Sequence, residues 1–158
     1  MRAIACALAL ILFFAVPVLA DFTLSVDGMT YEGVYENGRV IYKMDGAIIG
    51  YLKADQERAV FTDENDHPLG SAVSTDKGWD YYDRDGKPLG CVEVTSNIQG
   101  LHAVYRDWQG NIIGYAQGEG CFRLNFLDAS HTVIGAETGS NALPLRPIPL
   151  EIWLRKRR

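Results

Sequence analysis

The hydrophobic pattern of this chain changes character at one point. Every residue from Ala3 to Val16 is apolar, whereas after Asp21 apolar residues come in short runs separated by polar clusters. Five of these later segments align on a recurrent apolar–Gly pair: IYKMDGAIIGY (41–51), FTDENDHPLGS (61–71), YYDRDGKPLGC (81–91), YRDWQGNIIGY (105–115) and FLDASHTVIGA (126–136). Their anchor glycines, Gly50, Gly70, Gly90, Gly114 and Gly135, are spaced by 20, 20, 24 and 21 residues. A looser copy, LSVDGMTYEG (24–33), precedes them with one extra residue before Gly33. A period of this length holds one two-stranded hairpin and little else.

The turn chemistry agrees. Asp45-Gly46, Asp85-Gly86 and Gln109-Gly110 supply the residue of positive φ that tight hairpins need. Asn65-Asp66 and Ser130-His131 fill the same place without glycine, and Asn, Asp and His tolerate the left-handed region best among residues with a Cβ. Flanking runs such as Arg39-Val40-Ile41-Tyr42 and His102-Ala103-Val104-Tyr105 have the β-branched and aromatic content of strands. No window carries a helical stripe. The fold class predicted is therefore all β, with five or six hairpin repeats. The glycine after Ile or Leu is expected where the strand bends sharply or another segment crowds in. Hairpins bent alike can be arranged radially or as a closed or near-closed sheet, which hides their edges. A linear solenoid or an open sheet is the alternative.

The YxxDGxxIG hairpin resembles the bacterial β-flower proteins, in which hairpins of the form Y-D-x-x-G-x-x-I/L-G are arranged as petals. The resemblance covers roughly residues 39–137 and implies a fold, not an activity. The chain departs from that pattern by lacking the turn glycine in two units and by inserting residues between units.

Residues 1–20, MRAIACALALILFFAVPVLA, read as a signal peptide. Arg2 precedes the apolar run, and Val18 and Ala20 stand three and one before Asp21, as a secretory cleavage site requires. An uncleaved anchor is the alternative. The predicted organisation is a signal peptide over 1–20, a hairpin-repeat domain over 21–140 and a Pro-rich strap with a basic tail over 141–158. The location implied is periplasmic or secreted. Export leaves Cys91 and Cys121, an even count for an oxidising compartment, expected as a disulfide rather than as two buried thiols.

Charge narrows the partners. The full chain carries 15 Lys and Arg against 20 Asp and Glu. Four of those cations are Arg155, Lys156, Arg157 and Arg158, so the remaining body is strongly acidic. Such a body is a poor match for a phosphate backbone, and nucleic acid is not expected as a partner. The basic tail could instead make weak contact with a membrane surface.

Candidate chemistry is sparse. Asp83-Arg84-Asp85-Gly86 opens like a calcium loop, with echoes at Asp63, Asp107 and Asp128, but none continues to the distal bidentate Glu. Carboxylates that accept turn amides explain the recurrence better. His67, His102 and His131 lack chelate spacing, and no nucleophile motif occurs. No catalytic residue, metal or cofactor is expected. Most Tyr and Phe are expected in the core, whereas Trp108, with Trp79 and Tyr82, is the candidate ligand contact. The function expected is a non-catalytic binding or structural module of the cell envelope, acting on an envelope protein or glycan. A small envelope hydrolase using scattered Asp and His is the alternative.

Overall fold

The computed structural model of the protein describes residues 22–97, 100–119 and 123–139. The leader at 1–20 and the strap at 141–158 lie outside the described residues. Twelve strands run in chain order: β1 (Phe22–Val26), β2 (Met29–Glu36), β3 (Arg39–Met44), β4 (Ala47–Ala54), β5 (Arg58–Thr62), β6 (Pro68–Ser74), β7 (Gly78–Asp83), β8 (Pro88–Asn97), β9 (Gly100–Asp107), β10 (Ile112–Glu119), β11 (Arg123–Asp128) and β12 (Val133–Gly139). Each pairs antiparallel with its sequence neighbours, and β12 pairs with β1 to close a barrel. The hairpin units are thus six, the looser first copy included, and the closed arrangement is the one adopted. Closure removes every free sheet edge.

The repeat has a direct packing meaning. In each of the five aligned units the aromatic residue of one strand stands opposite the anchor glycine of the next: Tyr42 with Gly50, Phe61 with Gly70, Tyr81 with Gly90, Tyr105 with Gly114, and Phe126 with Gly135. All five rings are buried inside the barrel. An inward-facing ring needs lateral room, and a partner without a side chain provides it. The register in all five hairpins shifts by one residue at this point, at Ile49, Leu69, Leu89, Ile113 and Ile134. The apolar–Gly pair is therefore a bulge that bends each hairpin around the barrel.

Crowding reinforces the requirement. A Cβ on Gly50, Gly70, Gly90 or Gly135 would meet a backbone carbonyl of the next strand around the barrel, those of Thr62, Tyr82, Arg106 and Ser25. The other neighbour of each ring is a short or aliphatic residue: Gly33 beside Tyr42, Leu52 beside Phe61, Ala72 beside Tyr81, Val92 beside Tyr105 and Ala116 beside Phe126. Large and small side chains thus alternate around the interior. The first unit solves the same problem differently: its glycine, Gly33, stands opposite Phe22, while Tyr31 stands opposite Leu24.

Trp79 belongs to this interior. It is 8% exposed and packs in the core cluster with Phe22, Val40, Ala59, Ala103 and Leu124. Its expected place among the ligand contacts is therefore corrected: an inward position on β7 makes it a core side chain.

Candidate functional site

Six turns gather at one end of the barrel, because every hairpin closes there: 27–28, 45–46, 63–67, 83–87, 107–111 and 128–132. The last four share one construction. Asp63 Oδ1 accepts the backbone N–H groups of Asn65 and His67 at 2.8 and 2.9 Å. Asp83 does the same for Asp85 and Lys87 at 2.9 and 2.8 Å. Asp107 holds Gln109 and Asn111 at 2.9 and 2.8 Å, and Asp128 holds Ser130 and Thr132 at 2.8 and 2.9 Å. The fourth residue of each loop, Asp66, Gly86, Gly110 or His131, takes positive φ. The repeated Asp is therefore a turn-forming acceptor.

This use fixes the charge of the end. The His67 amide is the largest influence holding the Asp63 carboxyl below its ordinary value. The Asn111 side chain does so for Asp107, and the Ser130 hydroxyl, 2.6 Å from Oδ1, does so for Asp128. In all, the six turns hold nine carboxylates and two cations, Arg84 and Lys87, and Arg39 on β3 reaches Asp66 at 3.2 Å. At the opposite end Glu36, Asp55, Glu57, Asp76 and Glu119 are interleaved with Arg58, Lys77 and Arg123. The turn end is the acidic one. Among the described residues no group of three or more His, Cys, Asp or Glu side chains is arranged to hold a metal ion.

Trp108 rises from this acidic rim. It is 63% exposed, at the tip of the β9–β10 turn. Two further exposed apolar side chains lie on the same pair of hairpins, Val133 at 58% and Ile112 at 38%. Between them a half-buried apolar row crosses the outer wall in register: Val133 opposite Leu127, Leu127 opposite Tyr115, and Tyr115 opposite Val104. His131 stacks on Tyr115 with ring centroids 4.3 Å apart and planes 14° from parallel. The surface is a shallow apolar face with an aromatic tip and a carboxylate rim.

Tyr82 sits on the outer wall too, half-buried on β7, two strands from the Trp108 hairpin. His67 contacts Asp63 through Nδ1 and Oδ2 at 3.1 Å within a single turn. His102 lies on β9 and is half-buried. The three histidines are thus on separate hairpins.

Cys91 is half-buried on β8, opposite Asp80 and Arg106. Burial, followed by the charges of Asp80 and Glu93, pushes its thiol up from the ordinary value. Cys121, its expected disulfide partner, lies outside the described residues. At the end opposite the acidic turns, Phe22, Thr23, Glu32, Gly33, Val34, Thr138 and Gly139 line an open cleft of about 390 Å³.

One buried charge-bearing residue escaped the sequence reading. Glu137 is 4% exposed in the barrel interior, opposite Leu24 on β1 and Leu124 on β11. It stands two residues after its anchor glycine, where the other units place Leu52, Ala72, Val92 and Ala116. That break in an otherwise apolar column was the signal available. Tyr105 is pushed well above its ordinary value, by burial first and then by Tyr81 and Glu137.

No family model matches the chain, and no curated protein matches it. Among solved structures, an X-ray structure of a protein from Arabidopsis thaliana is similar at a TM-score of 0.50 and 10% identity. The likeness covers 77% of this chain and 81% of that one, and it bears on the barrel fold alone.

Proposed function

We propose that this protein is an exported, non-catalytic β-barrel that serves in the periplasm or outside the cell as an envelope binding module, with Trp108 as its principal contact. The carrying observation is the 63% exposure of Trp108 beside exposed Ile112 and Val133. Holding an indole in water forgoes burial worth about 2–3 kcal/mol, which a partner recovers. The pattern of residues 1–20 supports export, and the recurrent Y-D-x-x-G-x-x-I/L-G hairpin supports kinship with the β-flower proteins. The expected Cys91–Cys121 disulfide belongs to the same reading.

The Asp63–His67 contact is the one feature that favours a hydrolase instead. Its Asp63 carboxylate already accepts two turn amides, so the pair is accounted for by the loop. The test is retention of the purified protein on isolated envelope polymers and membranes, wild type against Trp108→Ala. A drop of tenfold or more in the variant supports the reading. Equal retention, or turnover of an envelope polymer that Asp63→Asn abolishes, overturns it.

A further inference from the structure

We propose that two copies of this chain pair through the outer wall centred on β8, with Asp80 of each copy facing Arg106 of the other. The surface is one row across five neighbouring strands, fixed by their register. Val73 on β6 stands opposite Asp80 on β7, and Asp80 stands opposite Cys91 on β8. Cys91 in turn stands opposite Arg106 on β9, and Arg106 opposite Ile112 on β10. The row faces outward, because Ala72, Trp79, Val92, Tyr105 and Ile113 beside it belong to the core.

This row is complementary to itself about its centre. One strand away from Cys91 stand opposite charges, Asp80 on one side and Arg106 on the other. Two strands away stand exposed apolar side chains, Val73 at 40% and Ile112 at 38%. A two-fold axis in the contact plane, parallel to β8, reverses the row and keeps positions along the strands. It therefore sets Asp80 against Arg106 twice and Val73 against Ile112 twice, as an isologous interface requires. An axis along the row would set Asp80 on Asp80 and Arg106 on Arg106, which like-charge repulsion opposes.

The charges are available for this use. Asp80 forms no ion pair with any described residue of its own chain. Arg106 is already held in place: its Nη1 donates to the Gly110 carbonyl at 3.2 Å, and its Nε stands 3.7 Å from Glu93 Oε2. Glu93, two residues along β8, falls on the same axis, and this Arg106 offsets the charge that two copies of Glu93 bring together.

Topology favours a wall contact. A closed barrel has no free edge, so two copies cannot join by extending the sheet. Walls that curve apart touch over few strands, and the association is accordingly weak and reversible. The axis along β8 also keeps both acidic turn ends at one end of the pair. On the reading of Trp108 as the envelope contact, on which this step alone rests, the dimer carries two such contacts side by side and grips a repeating polymer bivalently.

Sedimentation equilibrium of the purified protein in reducing buffer, where no disulfide contributes, tests the pairing. The wild type is expected to dimerise reversibly, and Asp80→Arg and Arg106→Asp are each expected to weaken association tenfold or more. Mixing the two single variants should restore it, because opposite charges then meet in both pairs. Val73→Glu, at an exposed site outside the ion pairs, should weaken association by the same order, and it decides the matter where a charge variant fails to fold. A wild type that stays monomeric up to about 1 mM, where even weak specific contacts are populated, overturns the pairing. Single variants that associate like the wild type, or a mixture no stronger than its components, overturn it as well. Failure of the functional reading is separately visible: equal envelope retention by wild type and Trp108→Ala sinks that reading while the association results stand.

Discussion

Tyr81 on β7 stands directly opposite Gly90 on β8, and Gly90 in turn lies against the carbonyl of Arg106 on β9. Three strands are thereby tied by one ring and one missing side chain. Gly90→Ala should destabilise the barrel by about 2–4 kcal/mol, since the added methyl must displace backbone. Gly86→Ala, in the turn before, meets nothing within 4 Å and should cost only the left-handed penalty of about 1–2 kcal/mol. Urea denaturation of the two variants checks the order. Equal losses would mean that the carbonyl contact is not what demands glycine.

The tryptophans make a second contrast. Trp108→Ala should change stability by no more than about 0.5 kcal/mol, because the indole is mostly in water. Trp79→Ala should lose about 3–5 kcal/mol, because it empties part of the core. Thermal melts separate the cases, and a large loss at Trp108 would show a structural role at the turn tip.

Acid should weaken the fold through the turn carboxylates. Asp55, Asp63, Asp107 and Asp128 are all held below the ordinary value of 3.8, by the Glu57 amide, the His67 amide, the Asn111 side chain and the Ser130 hydroxyl respectively. A carboxyl whose folded value is depressed contributes stability in full above its unfolded value, and that contribution disappears as pH falls through the folded one. Denaturation midpoints should therefore hold steady above about pH 5 and decline below pH 4. Asp107→Asn and Asp128→Asn should lower the plateau and flatten the decline. An unchanged acid limb in the double variant would place the acid sensitivity elsewhere.

The alkaline limb has the opposite origin. Tyr81 and Tyr105 are raised above the ordinary value of 10.0, chiefly by burial. A phenol whose folded value is raised binds its proton more tightly in the folded state, so stability is lost as pH rises past the unfolded value. Absorbance at 295 nm should show these two tyrosines ionising only together with unfolding, and Tyr81→Phe should remove part of that coupling at high pH. Ionisation of both below the unfolding transition would contradict their burial.

Much of the architecture was legible in the sequence because the determinants are local. Asp45-Gly46 demands a tight turn whatever surrounds it, and Asp66 and His131, which stand where other units carry glycine, do adopt positive φ. The recurring Asp was readable as a turn acceptor for the same reason, since its partners are the amides two and four residues ahead. The exposure of Trp108 was also legible, because a residue at the tip of a hairpin has no wall to pack against.

What the repeat by itself determined was six like hairpins with a ring and a glycine in each; what they enclose was decided only in three dimensions. Nothing local fixed the face of Trp79: strand alternation allows either side, and the barrel turned it inward. The pairing of β12 with β1 joins the two strands most distant in the chain, and no turn connects them to set their register. Glu137 lies on that seam, where closure puts a carboxyl-bearing residue into the interior that its own hairpin could have left in water. The apolar face at Trp108 was decided by register: Val104, Tyr115, Leu127 and Val133 stand in one row because the ladders of β9, β10, β11 and β12 pair them directly, which the spacing of the repeat alone does not set.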